Sequence, residues 1–313
     1  MKIIILDRCT VTNGDVDLTP IEKVGEVEYY DILSKEEIIK VAAGADAIIC
    51  NKAVIDAEIM AKTGVKFVGL FATGYNNIDT EYAHKNGVTV CNVPGYSTDS
   101  VAQLTFSLLL ELASSTYKYV ESTARGDWRK SRQFSYFSYP LTEIAGKTLG
   151  IYGLGTIGIA VAKIALAFNM RVIAYTRTPK CIEGVENVSA EELFRQSDFL
   201  TLHCPLNNET KLIVNERTLS LMKPTAYLIN TSRGGTIDEK ALCDALNHGV
   251  IRGAALDVLT IEPMSDDCPL IEAKNCIFTP HIAWASLEAR TRLITKVCEN
   301  LEAFKQRKPI NVV

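Results

Sequence analysis

The stretch TLGIYGLGTIGIAVAKIALAF, residues 148–168, constrains this chain more than any other segment. An apolar run that reads as a buried strand leads into Gly153, Gly155 and Gly158 in G-x-G-x-x-G spacing, and an apolar helical pattern follows. The first glycine permits a tight turn and the second lets backbone approach a pyrophosphate. The third lets the helix pack closely on the strand. A helix opening at Thr156 and Ile157 would add amide N–H groups and the positive end of its dipole. The spacing alone is a weak signal. The strand before it, the helix after it and a second strand at Arg171–Tyr175 supply the context that a dinucleotide needs.

The rest of the chain repeats this alternation. Strand-like runs fall at Lys2–Leu6, Ala47–Cys50, Lys66–Leu70 and Val88–Asn92, then at Phe199–His203, Ala226–Asn230, Arg252–Asp257 and Cys276–Thr279. Helical patterns lie between them, such as Lys35–Ala43 and Thr80–Lys85, which argues for βαβ units and parallel sheets. A long apolar helix is expected from about Ser97 to Ala124, and an amphipathic one closes the chain at about Ser286–Lys305. Between them RGDWRKSRQFSYFSYPLTEIAG loses periodicity and collects aromatics. It reads either as a surface connection or as an arm that packs against a second subunit.

Composition narrows the class further. With 47% apolar residues, 22% charged residues and a net charge of −4, the chain is an ordinary globular protein without a basic run for nucleic acid. The opening MKIIILDRCT is too short for a signal or membrane segment and reads as a first buried strand. Nine cysteines show no C-x-x-C pair and no Cys/His cluster at zinc spacing, so no metal is expected and a reducing cytoplasm fits.

Three polar residues stand where apolar strands end, the place where open α/β sheets bind ligands. Arg233 follows AYLINTS, Glu262 follows ALDVLTI, and His281 follows CIFTP. Singly, each has a mundane reading: a capping charge, a loop acid before a proline, a satisfied histidine. Together they suit reduction of a 2-oxo acid. The arginine fork grips the carboxylate, the histidine gives a proton to the carbonyl oxygen, and a nicotinamide gives hydride. A carboxylate beside the histidine holds the ring and favours its protonated form.

The motifs LFATGYNNID, NVPGYSTDSVAQLTFSLLL, GLGTIG, LHCPLNNET, NTSRGG, LDVLTIEP and PHIAWAS occur in this order. With them the chain resembles the D-isomer-specific 2-hydroxyacid dehydrogenases over essentially its full length, and most of all the glycerate dehydrogenase/hydroxypyruvate reductase group. The resemblance implies an α/β chain of two doubly wound parallel-sheet domains. A flavodoxin-like substrate domain is formed by 1–97 and 286–313, and a Rossmann dinucleotide-binding domain by 98–285, whose long helix and aromatic arm lie at a homodimer interface. It implies that Arg233 binds substrate and that His281 is the acid/base with Glu262 as partner. Asp257 would position the nicotinamide. Thr98, His203, Cys204, Pro205, Thr210, Thr231 and Ser232 would line the cofactor groove. The turn Ala72–Tyr75, through Thr73, Gly74 and Tyr75, would hold the carboxylate, with Lys52 nearby. Trp284 either shapes the pocket for small polar 2-oxo acids or simply packs.

Hydroxypyruvate or glyoxylate reduction is the leading expectation. A broader D-2-hydroxyacid dehydrogenase is the alternative, and a nucleotide-sensing corepressor-like binder a further one. Two positions depart from the family: Trp284, where many members have smaller residues, and Thr176. An acid that accepts from the adenosine ribose of NAD is expected about 20 residues beyond the glycines, yet AYTRTPK places Thr176 and Arg177 there. Threonine removes repulsion of a 2′-phosphate, while Arg177, with Lys180, offers it a cationic partner. NADP(H) is therefore favoured, with NAD(H) retained as the other reading.

Overall fold

The computed structural model describes residues 1–313. The chain divides into two compact units, Met1–Ser97 with Trp284–Val313, and Thr98–Ala283. No helix is long and apolar enough to cross a membrane.

In the first unit, β1 (Lys2–Ile5), β2 (Glu26–Tyr29), β3 (Ala47–Cys50), β4 (Phe67–Leu70) and β5 (Thr89–Cys91) form a parallel sheet in the order β2-β1-β3-β4-β5. This is the flavodoxin-like order. Strand alternation sorts the side chains onto two faces. Ile3 and Ile5 join one core cluster, while Ile4 and Leu6 join the other. The final helix, Leu287–Lys305, is capped by Ser286 and covers the first of these faces with Ala289, Leu293, Ile294, Val297 and Leu301. Its Phe304 ring lies 4.9 Å from that of Phe67.

The second unit carries β6 (Thr148–Tyr152), β7 (Arg171–Tyr175), β8 (Val185–Asn187), β9 (Phe199–Leu202), β10 (Tyr227–Asn230), β11 (Gly253–Leu256) and β12 (Cys276–Phe278). Their parallel order is β12-β11-β10-β9-β6-β7-β8. Counted from β6 this is the Rossmann order with one strand added, and its switch point lies between β6 and β9. The central strands β6, β9, β10 and β11 are buried throughout, which explains why they read as unbroken apolar runs.

Two strands escaped the periodicity reading. β2 and β8 are half-exposed edge strands, with sequences EVEY and VEN, and carry no apolar run. The helix expected from 97 to 124 is two helices, Thr98–Ser114 and Thr116–Ala124. Ser115 breaks it with a left-handed backbone, φ 48°. The break is built into the sequence: Ser115 N–H still closes the first helix on the Glu111 carbonyl, while the Glu111 carboxylate accepts from Tyr117 N–H and caps the second. The aromatic segment folds back on the second helix, where Tyr119 stacks edge-on against Tyr139 at 5.1 Å. Phe134 and Phe137 point outward, 91% and 78% exposed.

Candidate active site

The loops that leave β11 and β12 carry Asp257, Glu262 and His281. Asp257 follows β11 and is 1% exposed. Its Oδ1 accepts from the Thr279 hydroxyl at 2.6 Å and from Ile282 N–H at 2.9 Å, and its Oδ2 accepts from Ala283 N–H at 2.8 Å. Burial pushes this carboxyl above its ordinary range, opposed by those three donors and by His281. One buried carboxylate thus clamps the whole segment 279–283. From the other side Ser100 Oγ donates to the Ala283 carbonyl at 2.7 Å.

His281 sits inside that clamp with φ 54°, a region that non-glycine residues seldom occupy. Its N–H donates to the Asp257 and Thr279 carbonyls, both at 2.9 Å. A backbone held in this way against its preference is a mark of sites where aim matters. The ring Nδ1 lies 2.6 Å from Glu262 Oε2, and both side chains are half-buried. Glu262 is itself fixed, since its Oε1 accepts from Leu259 N–H at 2.9 Å. The adjoining Thr260 N–H donates to Glu239 at 2.7 Å.

Arg233 leaves the end of β10 on a turn that touches this loop. A Cβ on Gly234 would stand 1.9 Å from the Leu259 carbonyl carbon, so only glycine admits the contact. Asn230, wholly buried, organises the turn. Its Nδ2 donates to the Arg233 carbonyl at 3.0 Å, and its Oδ1 accepts from Ser232 N–H at 3.0 Å and the Ser232 hydroxyl at 2.8 Å. The guanidinium gives one of its five donors to the Ser232 carbonyl at 2.7 Å. The ends of three neighbouring strands therefore bring a guanidinium and a carboxylate-bound imidazole to one side of the sheet.

The glycine loop follows β6 and the His203–Thr210 loop follows β9, on the two sides of the switch point. Gly153 has φ 102°, and a Cβ there would meet the His203 carbonyl at 2.7 Å. A Cβ on Gly158 would meet the Gly153 carbonyl oxygen at 2.2 Å, whereas one on Gly155 would meet nothing within 4 Å. The loop is thus closed at two glycines and open at the middle one, beside the start of the helix Thr156–Ala167. These residues fit a pyrophosphate. His203 also fits a bound group: the residue as a whole is half-exposed, yet both ring nitrogens are covered and lack a protein partner. Burial lowers its pKa to about 4, which makes it a neutral imidazole. Burial raises the Cys204 thiol to about 11, which favours its neutral form. Thr231 meets Thr105 hydroxyl to hydroxyl at 3.0 Å, and Thr210 closes its own loop on Pro205 and Asn207. Thr98 opens the helix Thr98–Ser114.

In the first unit, the turn 72–75 is held through Thr73. Its hydroxyl donates to the Val93 carbonyl at 2.8 Å, and its carbonyl accepts from Asn92 Nδ2 at 2.7 Å. The amides around Lys52 are gathered by the buried carboxylate of Asp7, which accepts from Asn51, Lys52 and Ala53 N–H. Trp284 packs on the core of this unit, edge-on to Tyr96 at 6.4 Å. Its neighbours support the packing reading.

Residues 106–283 match the family described as D-isomer specific 2-hydroxyacid dehydrogenase, NAD binding domain. The chain belongs to this family. The D-2-hydroxyacid dehydrogenases are oxidoreductases. The protein is 41% identical to a hydroxypyruvate reductase of Blautia hydrogenotrophica, across 100% of this chain and 99% of that one. It is 43% identical to a glyoxylate reductase of Thermococcus litoralis, across 83% and 80%. The solved structure of an acyclic imino acid reductase in complex with NADPH and D-Arg superposes with a TM-score of 0.88 at 35% identity, covering both chains fully.

Three groups that brace these loops are not among the site residues that the resemblance implies. Asn230 shapes the arginine turn, Thr279 completes the aspartate clamp, and Glu239 braces the glutamate loop. Asn230 had a signal, an amide ending an otherwise apolar strand. The other two had none, because their partners are distant in sequence.

Proposed function

We propose that this dehydrogenase reduces hydroxypyruvate and glyoxylate to D-glycerate and glycolate, with His281 as the proton donor. The observation that carries the reading is the His281–Glu262 contact at 2.6 Å, on a strained backbone clamped by Asp257 and beside the Arg233 turn. Arg233 grips the substrate carboxylate in a bidentate fork, which aligns the ketone. A nicotinamide cofactor held by the glycine loop and Asp257 would supply the hydride to the carbonyl carbon. With Nδ1 engaged by Glu262, His281 delivers the proton from Nε2 to the oxygen, and Glu262 balances the imidazolium charge. Thr73, Gly74, Tyr75 and Lys52 are assigned to substrate binding. Asp257 is assigned to positioning the nicotinamide carboxamide.

Names of relatives support the two substrates. The absence of an acid at Thr176 and the presence of Arg177 support NADP(H) over NAD(H). The exposed apolar residues Tyr117, Val120, Trp128, Phe134 and Phe137 support a homodimer built on the aromatic arm. Nine free thiols suit the cytoplasm.

His281→Ala should lower kcat by about 10²–10⁴, the usual share of a general acid. A variant with wild-type kcat on hydroxypyruvate would remove His281 from the reaction.

A further inference from the structure

We propose that Glu209 sets how strongly the protein distinguishes a 2′-phosphorylated adenosine from an unphosphorylated one, by competing for Arg177. The inference rests on reading Arg177 as the phosphate-binding residue.

β7 and β9 flank β6, so the loops after them border the glycine loop on its two sides. Arg177 leaves the end of β7, and Glu209 comes from the loop after β9. The two meet, with Arg177 Nη1 3.8 Å from Glu209 Oε2. Neither side chain is buried, at 82% and 71% exposed, so the pair is loose and water-screened. The backbone beneath Glu209 is firm. Asn207 Oδ1 accepts from the N–H groups of Glu209 and Thr210 at 2.9 and 3.0 Å, and Thr210 Oγ1 returns a bond from Asn207 N–H at 2.9 Å. The same loop begins against Gly153, whose missing Cβ leaves room for the His203 and Cys204 backbone. The Glu209 charge also reaches the buried Tyr152 hydroxyl. That group is raised to about 12 first by burial, then by Tyr175, Cys204 and Glu209.

A 2′-phosphate arriving at Arg177 must displace this carboxylate and then sit near its negative charge. A ribose without the phosphate brings no charge to the contest. Glu209 therefore weakens the phosphorylated ligand alone, and leaves the protein able to use both cofactors.

The probes are 2′,5′-ADP and ADP, titrated calorimetrically at low ionic strength into wild type, Glu209→Gln, Arg177→Ala and the double variant. Glu209→Gln should tighten 2′,5′-ADP about two- to fivefold, the span of an exposed ion pair, and leave ADP unchanged. The gain should shrink with added salt and be smaller on the Arg177→Ala background. If Arg177→Ala weakens 2′,5′-ADP while Glu209→Gln changes nothing, the role of Glu209 is overturned and the phosphate reading stands. If Arg177→Ala affects both probes alike, the phosphate reading falls and takes this one with it. A Glu209→Gln variant that loses ADP affinity would make Glu209 a ribose acceptor and overturn the proposal.

Discussion

His203 is the residue whose environment most clearly departs from its chemistry. Its ring nitrogens are covered, and burial holds its pKa at about 4. Unfolded, the same histidine titrates near about 6.5. Between these values the unfolded chain binds the proton more tightly, so the stabilisation is fully present above the unfolded value and is lost as pH falls toward the folded one. His203→Gln cannot titrate. Between pH 7 and pH 4 the wild type should lose about 2–3 kcal/mol more stability than this variant, read by urea denaturation at each pH. Parallel stability curves would show that the ring is hydrated. At this scale the sequence showed Arg233, Glu262 and His281 following apolar runs, and the structure sets them in the loops after β10, β11 and β12, while Asp257 stood out only through the family resemblance. The sequence was silent on the left-handed backbone of His281 and on the Asp257–Thr279 contact, because both depend on partners brought together by the sheet.

The glycine loop gives the sharpest contrast between elements that hold the fold and elements that hold a ligand. Gly158→Ala places a methyl 2.2 Å from the Gly153 carbonyl oxygen and must push the helix Thr156–Ala167 off β6. Gly155→Ala meets open space at an ordinary φ of −78°. We expect Gly158→Ala to lower the Tm and weaken cofactor binding together. Gly155→Ala should keep the wild-type Tm and lose cofactor affinity, by thermal melts and fluorescence titration. Equal Tm losses would mean that the loop is structural throughout. Strands β3 and β7 were legible to the residue because their inner positions are buried and apolar on both faces. Edge strands β2 and β8 were not, since one side faces water. The turn at Ser115 was hidden because its cap comes from Glu111, inside an otherwise continuous apolar helix.

At the scale of the whole molecule, periodicity could show alternating strands and helices but not that the chain returns. The last helix joins the first sheet because Leu293, Val297 and Leu301 complete a core begun by Ile3 and Phe67, a match between segments at opposite ends of the sequence. The aromatic arm leaves Phe134 and Phe137 in solvent, which costs about 1.5–3 kcal/mol for each large side chain that stays unburied. Light scattering at micromolar concentration should find a dimer, and Phe134→Ser with Phe137→Ser should shift it toward monomer. A wild type that stays monomeric would dismiss the arm as an interface. The reaction is put to the test by oxidation of NADPH and NADH by the purified protein with hydroxypyruvate, glyoxylate, pyruvate and 2-oxoisovalerate. The highest kcat/KM is expected for hydroxypyruvate and glyoxylate, with D-glycerate as the product of the former. No turnover of either, or a clear preference for 2-oxoisovalerate, would contradict the proposed reaction.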